Sequence, residues 1–180
     1  MRDIPLAMVR SDMDGWPVCA FPDGYFVRSF EPGDQAVWAR IEAAVDGFST
    51  EAAASAHFQQ EFGEELDRLP GRLLFLEHDG AGPIGMTTAW DGTFAGVRQG
   101  RIHWVAIVPD HQGRGLAKPL LSAAMQRIAA DFDRAYLTTE TTSWRGINLY
   151  LGFGFEPVID TALDREGWAI VEEILGRRIV

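Results

Sequence analysis

The stretch that decides the fold is "DHQGRGLAKPLL", residues 110–121, where an apolar β-like run ends and a helical pattern begins. Gly113 and Gly115 stand within three residues, although glycine loses more backbone entropy on folding than any other residue. A helix N-terminus offers unpaired N–H groups and a partial positive charge, and glycines there let an anion approach closely. The stretch therefore predicts a turn that holds a phosphate or a diphosphate. A tight turn that binds nothing is the alternative.

The glycine pattern differs from two common nucleotide-binding motifs. No G-x-x-x-x-G-K-[ST] occurs, and G-x-G-x-x-G fails because Lys118 stands where the third glycine belongs. The turn also lies mid-chain after an antiparallel meander, which disfavours a dinucleotide site. A nucleotide-binding domain that uses this turn stays open as a rival interpretation.

Hydrophobic periodicity on both sides of the turn predicts alternating strands and helices. Strands are predicted at 24–30, 73–78, 83–90, 101–108 and 134–139, with another around 153–159. Helices are predicted at 35–45, from 50 to about 69, from the glycine turn to about 132, at 145–152 and at 166–175. Asp34 and Thr50 are the expected N-caps of the first two helices, and residues 91–100 are an expected loop.

The helix after the glycine turn is expected to be a crossover, so the strands at 101–108 and 134–139 should pair in parallel. The whole pattern predicts an α/β single domain, a mixed central sheet of about six strands flanked by helices. That domain is expected to span residues 24–180. Residues 1–23 are expected to be an irregular lead-in, because prolines interrupt them.

Composition excludes several classes of function. The 180 residues carry 26 acidic and 16 basic side chains, a formal net charge of −10, which disfavours nucleic-acid binding and suits a cationic or amine-bearing substrate. Cys19 is the only cysteine, so no intrachain disulfide or cysteine-based zinc site can form, and no metal is expected. Without an apolar stretch of signal-peptide or bilayer length, a soluble cytoplasmic protein with no membrane partner is expected.

Two motifs carry a family resemblance. Gln112–Ala117 matches Q/R-x-x-G-x-G/A, the acetyl-CoA motif of the GNAT superfamily of N-acetyltransferases, and "LYLGFGF" at 149–155 resembles the family's L-Y-x-x-x-G-F segment. The predicted order of elements resembles the GNAT fold as well. The resemblance implies an acyltransferase that moves an acetyl group from acetyl-CoA to a primary amine by direct attack, without a covalent enzyme intermediate.

The resemblance also implies which residues bind acetyl-CoA. The pantetheine arm would lie along the strand that carries Val105, Ala106 and Ile107, like an added strand. The diphosphate would sit at the glycine turn, formed by Gln112, Gly113, Arg114, Gly115, Leu116, Ala117 and Lys118. Ser143 stands where many relatives have asparagine, so a weaker contact to the coenzyme is expected there.

For catalysis, the resemblance implies that Tyr150 is the general acid that protonates the leaving thiolate. The candidates for the general base are Glu140, just past the strand at 134–139, and His103, on the same strand and the same face as Val105. His57 and Glu61 stand one turn apart and are expected to form a solvated helix face.

A non-catalytic acyl-CoA-binding sensor or interaction module of the same fold is the alternative function. The acceptor is expected to be a small-molecule or peptide amine whose identity the sequence does not reveal. A homodimer is the default assembly for so small a domain. Among the aromatic residues, Trp90 and Trp144 are expected nearest the acceptor.

Overall fold

A mixed sheet of seven strands forms the centre of the protein, which a computed structural model describes over residues 1–180. The strands are β1 (Pro5–Arg10), β2 (Tyr25–Ser29), β3 (Leu73–His78), β4 (Gly82–Phe94), β5 (Val97–Ile107), β6 (Ala135–Glu140) and β7 (Glu156–Pro157), in the spatial order β2-β3-β4-β5-β6-β1-β7. The helices are α1 (Gln35–Ala44), α2 (Glu51–Phe62), α3 (Ala117–Ala129), α4 (Trp144–Gly152) and α5 (Ala162–Leu175). The α/β prediction is confirmed, with one strand more than expected.

The additional strand comes from the N-terminal segment. The prediction of an irregular lead-in over 1–23 is wrong for Pro5–Arg10, which forms β1 and pairs antiparallel with both β6 and β7. Leu6 and Met8 alternate with more exposed neighbours, the period of a strand with one face in the core. Pro5 interrupts nothing because it is the first residue of the strand. The sheet therefore extends outside the predicted 24–180 domain.

The antiparallel meander β2–β5 is longer than predicted. Residues 91–100, the expected loop, form the ends of β4 and β5, which stay paired as far as Phe94 and Val97. Only Ala95 and Gly96 turn the chain, and both have positive φ (50° and 77°). Two central residues with positive φ are typical of the tight turns that match the twist of a hairpin, so the strands continue to the turn.

The parallel pairing of β5 with β6 is confirmed, and it is short. It joins Gly100 to Ala135 and Arg101 to Tyr136, and no later pair. Beyond that point β6 pairs with β1 as far as Glu140, whereas β5 continues beside β4 to Ile107. The two strands therefore diverge and open a gap in the middle of the sheet.

A β-bulge in β5 lies beside this gap. His103 pairs with Thr88 and Ala106 with Met86, which leaves two residues of β5 opposite one residue of β4. Trp104, in the bulge, has a φ of 51°, a rare conformation for a residue with a side chain. As a result His103 and Trp104 both pack on the side of α1 and α2, against Phe62 and Trp38 respectively.

Val105 packs against the core cluster on the other side of the sheet, which α3 helps to form. The prediction that His103 and Val105 share a face is therefore wrong. Strict alternation along the strand fails here because the bulge adds one residue.

Helix α2 begins where the sequence predicts. The Thr50 hydroxyl accepts a hydrogen bond from the N–H of Ala53 at 3.1 Å, so Thr50 is an N-cap. Asp34 does not cap α1 through its side chain, because its carboxylate accepts hydrogen bonds from Arg28 and from the N–H of Glu31. Helix α2 ends at Phe62, earlier than predicted.

Replacing Thr50 with alanine is expected to lower the free energy of unfolding by about 1 kcal/mol, because one N–H group of α2 loses its partner. Chemical denaturation would measure the change. Ser49→Ala is the matched control, since Ser49 is exposed and is not the cap; it should change stability by less than about 0.5 kcal/mol. Equal losses in the two variants would contradict the capping role.

Candidate active site

A cleft of about 1650 Å³ occupies the gap between β5 and β6. Strand β5 and the turn before α3 form one wall, the end of β6 and helix α4 form the opposite wall, and α1 and α2 contribute side chains beside β5. The cleft brings together every predicted site residue except Arg114: His103, Val105, Ala106, Ile107, Gln112, Gly113, Gly115, Leu116, Ala117, Lys118, Glu140, Ser143 and Tyr150. A single opening thus receives residues from four separate parts of the chain.

The turn before α3 presents a run of unpaired N–H groups. None of the N–H groups of residues 113–118 donates a hydrogen bond within the protein, and the first bond of the helix end runs from Leu120 to Leu116 at 3.1 Å. Pro119, which lacks an N–H, is the third residue of α3, where the helix has no partner for a donor anyway. Six consecutive free donors at the positive end of a helix suit an anion.

The two glycines explain how an anion reaches these donors. Gly113 and Gly115 have φ of 72° and 77°, the left-handed region that side chains disfavour. A Cβ at either position would meet no other atom within 4 Å, so the space above the turn is open. The Arg114 side chain donates to the carbonyl of Asp110 and to the hydroxyl of Tyr25. The turn therefore offers bare backbone to a ligand.

Gln112 has a structural contact in this region. Its side-chain amide donates to the carbonyl of Ile107 at 2.7 Å, so this carbonyl at the end of β5 is already engaged. Its own N–H is bonded to the carbonyl of Pro109. Gln112 thus connects the end of β5 to the turn.

The wall on the side of α2 carries a carboxylate with three ring partners. Glu61 forms a close hydrogen bond with Nε2 of His103 and accepts one from Nε1 of Trp104 at 2.8 Å. Nε2 of His57 lies 3.2 Å from the same carboxylate. The bulge in β5 makes this possible, because it turns two consecutive side chains towards α2. The expectation that His57 and Glu61 form a solvated helix face is wrong for Glu61.

The ionisation of this cluster follows from its burial. Burial lowers the pKa of His103 below its ordinary value, although the hydrogen bond to Glu61 opposes that shift. Burial would raise the pKa of Glu61, but the bonds from His103 and Trp104 outweigh it and the pKa falls. The pair is therefore a neutral imidazole beside a carboxylate at neutral pH. That combination can accept a proton.

The opposite wall holds Tyr150 and Glu140. Tyr150 lies near the end of α4, and burial, with a smaller effect of Glu140, raises the pKa of its phenol to about 12. The phenol is therefore protonated at neutral pH and can donate. Glu140 is exposed, and its carboxylate accepts a hydrogen bond from the Ser143 hydroxyl at 2.9 Å. A proton acceptor and a proton donor thus stand on opposite walls of one cleft.

Two further residues of the cleft were not predicted. Trp104, rather than Trp90 or Trp144, is the tryptophan that lines it. Trp90 packs against Phe62 and lies under the guanidinium of Arg68, outside the cleft. The positive φ of Trp104 has no sequence signal, because only glycine, asparagine and aspartate favour that conformation.

Glu42 is the second unpredicted residue. It lies on the buried face of α1, is 3% exposed, and lines the cleft. Burial, and then the nearby Glu61, raise the pKa of its carboxyl to about 7. A glutamate on an amphipathic helix ordinarily indicates the solvated face, so the sequence alone gave no reason to single it out.

Comparison with known proteins identifies relatives of this fold. A model of the Acetyltransferase (GNAT) family matches residues 37–155. A mycothiol acetyltransferase of Streptomyces griseus is 29% identical over 160 residues, which make up 86% of this chain and 50% of that protein. One from Actinosynnema mirum is 28% identical over 156 residues, 83% of this chain and 51% of that protein. The chain thus spans about half the length of these curated relatives.

Solved structures show the same fold at lower identity. A GCN5-related N-acetyltransferase from Sphaerobacter thermophilus superposes with a TM-score of 0.66 at 21% identity, over 87% of this chain and 50% of that chain. A tandem GNAT protein from the clavulanic acid biosynthesis pathway superposes with a TM-score of 0.58 at 20% identity, over 86% of this chain and 50% of that chain.

None of the helices in this structure combines the length and apolar character that crossing a membrane requires.

Proposed function

The chain belongs to the GNAT acetyltransferase family, and on that premise we propose that it transfers an acetyl group from acetyl-CoA to a primary amine. The observation that carries the proposal is that three features line one cleft: the six free N–H groups at the start of α3, the proton acceptor His103, and the proton donor Tyr150. Relatives named mycothiol acetyltransferases support acetyl transfer to a small molecule. A peptide amine is the other acceptor class under this proposal.

The residues of the turn fit the diphosphate of the coenzyme. The N–H groups of 113–118 would donate to its oxygens, and Lys118 would add a positive charge. The free edge of β5 at Val105 would hold the pantetheine arm by strand addition, since β6 no longer pairs there. Acetyl-CoA supplies a thioester, whose carbonyl carbon is the electrophile.

His103 is the general base in this proposal. The hydrogen bond from its Nε2 to Glu61 leaves Nδ1 unprotonated, so the imidazole can take a proton from the acceptor nitrogen. Glu61 fixes the ring and stabilises its charge once it is protonated. Glu140 is the weaker candidate, because its carboxylate is exposed and bonded to Ser143.

Tyr150 is the general acid. As the new N–C bond forms and the C–S bond breaks, the phenol gives its proton to the sulfur, while His103 holds the proton from nitrogen. Cys19, the one cysteine, lines the cleft where its backbone N–H donates to the hydroxyl of Ser122 in α3, and its thiol forms no hydrogen bond with His103, Glu140 or Tyr150. We therefore propose direct attack of the amine, with no acetylated enzyme.

The test combines binding and turnover. Isothermal titration calorimetry should detect acetyl-CoA, but neither ATP nor NAD, and thiol release should appear when amines are added. Binding without release on any small-molecule or peptide amine would instead support the non-catalytic sensor. No heat with acetyl-CoA would overturn the proposal altogether.

Glu61→Gln is expected to lower kcat about tenfold, because the amide that replaces the carboxylate carries no negative charge to stabilise the protonated imidazole. It should also move the acid limb of kcat/KM to lower pH. His103 must be neutral to act, and removing a carboxylate that favours the imidazolium lowers its pKa further below the ordinary value. A pH profile of both enzymes measures this. An acid limb that stays in place would remove His103 from the role of base.

A further inference from the structure

Glu42 is a buried carboxylate for which the proposed mechanism has no use. Its side chain faces the cleft from α1 and forms no hydrogen bond or ion pair with the protein. Gly47 lies next to it, and a Cβ at that position would collide with the carboxylate. A glycine at position 47 therefore leaves space for the Glu42 carboxylate. Burying a carboxylate without a partner nevertheless lowers the stability of the fold.

A second carboxylate lies near Glu42. Helix α2 contributes this group, Glu61, which contacts His57 of the same helix and His103 of β5. No lysine or arginine pairs with either glutamate. A cationic ligand could therefore neutralise the two carboxylates at this end of the cleft.

The walls beside the two carboxylates are aromatic. The rings of Phe48, His57 and Trp104 lie 5.0–5.9 Å from one another. Of these, His57 and Trp104 line the cleft, together with the apolar Val45. Such walls suit the hydrocarbon part of an alkylamine next to a charged nitrogen.

We propose that Glu42 receives the ammonium group of the acceptor, and that the acceptor is a primary alkylamine with no carboxylate next to its nitrogen. This inference rests on the proposed function and names its substrate class. An α-carboxylate would lie against Glu42 and Glu61 in a partly buried site, where like charges repel more strongly than in water. The ammonium binds first, and His103 then takes one proton from it, which leaves the free amine for attack.

The test uses two amines of equal size and different charge. Norvalinamide and norvaline differ only in that an amide replaces the α-carboxylate. NMR titration would measure the Kd of each amine with the CoA-saturated protein and with the protein alone. After each Kd is corrected for the fraction of that amine that is protonated, norvalinamide should bind at least about tenfold more tightly than norvaline. Equal affinities, or no binding of norvalinamide, would overturn the inference.

Glu42→Gln should bring the two affinities within about threefold of each other, while the Kd of acetyl-CoA stays within about threefold of wild type. Glu64→Gln, a change at an exposed glutamate, is the matched control and should keep the full discrimination. Discrimination that survives in Glu42→Gln would place the recognition elsewhere. The wild-type comparison needs no variant, so it stands even if Glu42→Gln does not fold.

The outcomes also separate this inference from the proposed function. If norvalinamide is preferred but no thiol is released with any amine, the acyltransferase proposal fails and the cation site remains. If thiol is released on norvaline and norvalinamide alike, the enzyme stands and the cation site fails.

Discussion

Gly115→Glu is expected to raise the Kd of acetyl-CoA at least about 100-fold, a loss of about 2.7 kcal/mol of binding free energy. The new side chain would occupy the open space above the turn, where nothing lies within 4 Å of a Cβ. Its negative charge would face the diphosphate, and the six N–H groups at residues 113–118 could no longer be approached. Isothermal titration calorimetry measures the effect directly.

The control for this variant must carry the same backbone strain. Gly96, in the hairpin between β4 and β5, has the same φ of 77°. A Cβ added there would meet no atom within 4 Å, and Gly96 does not line the cleft. Gly96→Glu therefore imposes the same left-handed backbone on a glutamate and the same change of net charge. It should leave the Kd of acetyl-CoA within about threefold of wild type. If both variants lost affinity for acetyl-CoA to a similar extent, the cause would be altered stability or net charge and not the turn before α3.

Tyr150→Phe is expected to lower kcat at least about 100-fold, because under the proposed mechanism the leaving sulfur loses its proton donor. The Kd of acetyl-CoA should change by no more than a few fold, since the ring remains and only the hydroxyl is removed. Tyr136→Phe is the matched control, because Tyr136 is a buried tyrosine of β6 outside the cleft. Steady-state kinetics with any accepted amine would compare the three enzymes.

The pH dependence gives a second check on Tyr150. In its proposed role as general acid the phenol acts only while it is protonated, and burial raises its pKa to about 12. Activity should therefore not decline on the alkaline side until the pH exceeds about 11, whereas a phenol with the ordinary pKa of about 10 would cause a decline one to two units earlier. Unchanged turnover in Tyr150→Phe would end its assignment as the acid.

What the sequence could predict depends on how local the cause is. The glycine turn, the capping of α2 by Thr50 and the helical face of α3 follow from neighbouring residues, and all three are present in the structure. The parallel pairing of β5 with β6 follows from the helix between them, because a crossover connection brings the chain back in the same direction. These features were predictable because no distant contact decides them.

The features that the sequence did not predict depend on contacts between distant parts of the chain. Strand β1 was missed because six residues that begin with a proline form a strand only when β6 and β7 supply partners. The bulge at Trp104 has no signal in the residue itself, and it decides which side chains meet Glu61. Glu42 is an ordinary helix residue until α1 is packed against the sheet. The wall of the cleft on the side of α1 and α2 therefore depended on tertiary packing.

The position of β1 bears on how the protein acquires its binding site. Its partners in the sheet are β6 and β7, and the paired residues Pro5 and Glu140 stand 135 positions apart. On the ribosome, β1 must wait for most of the polypeptide to emerge before it can dock, and until then the far wall of the cleft lacks support from behind. Binding of acetyl-CoA by a nascent chain would thus report the docking of a strand that does not line the cleft.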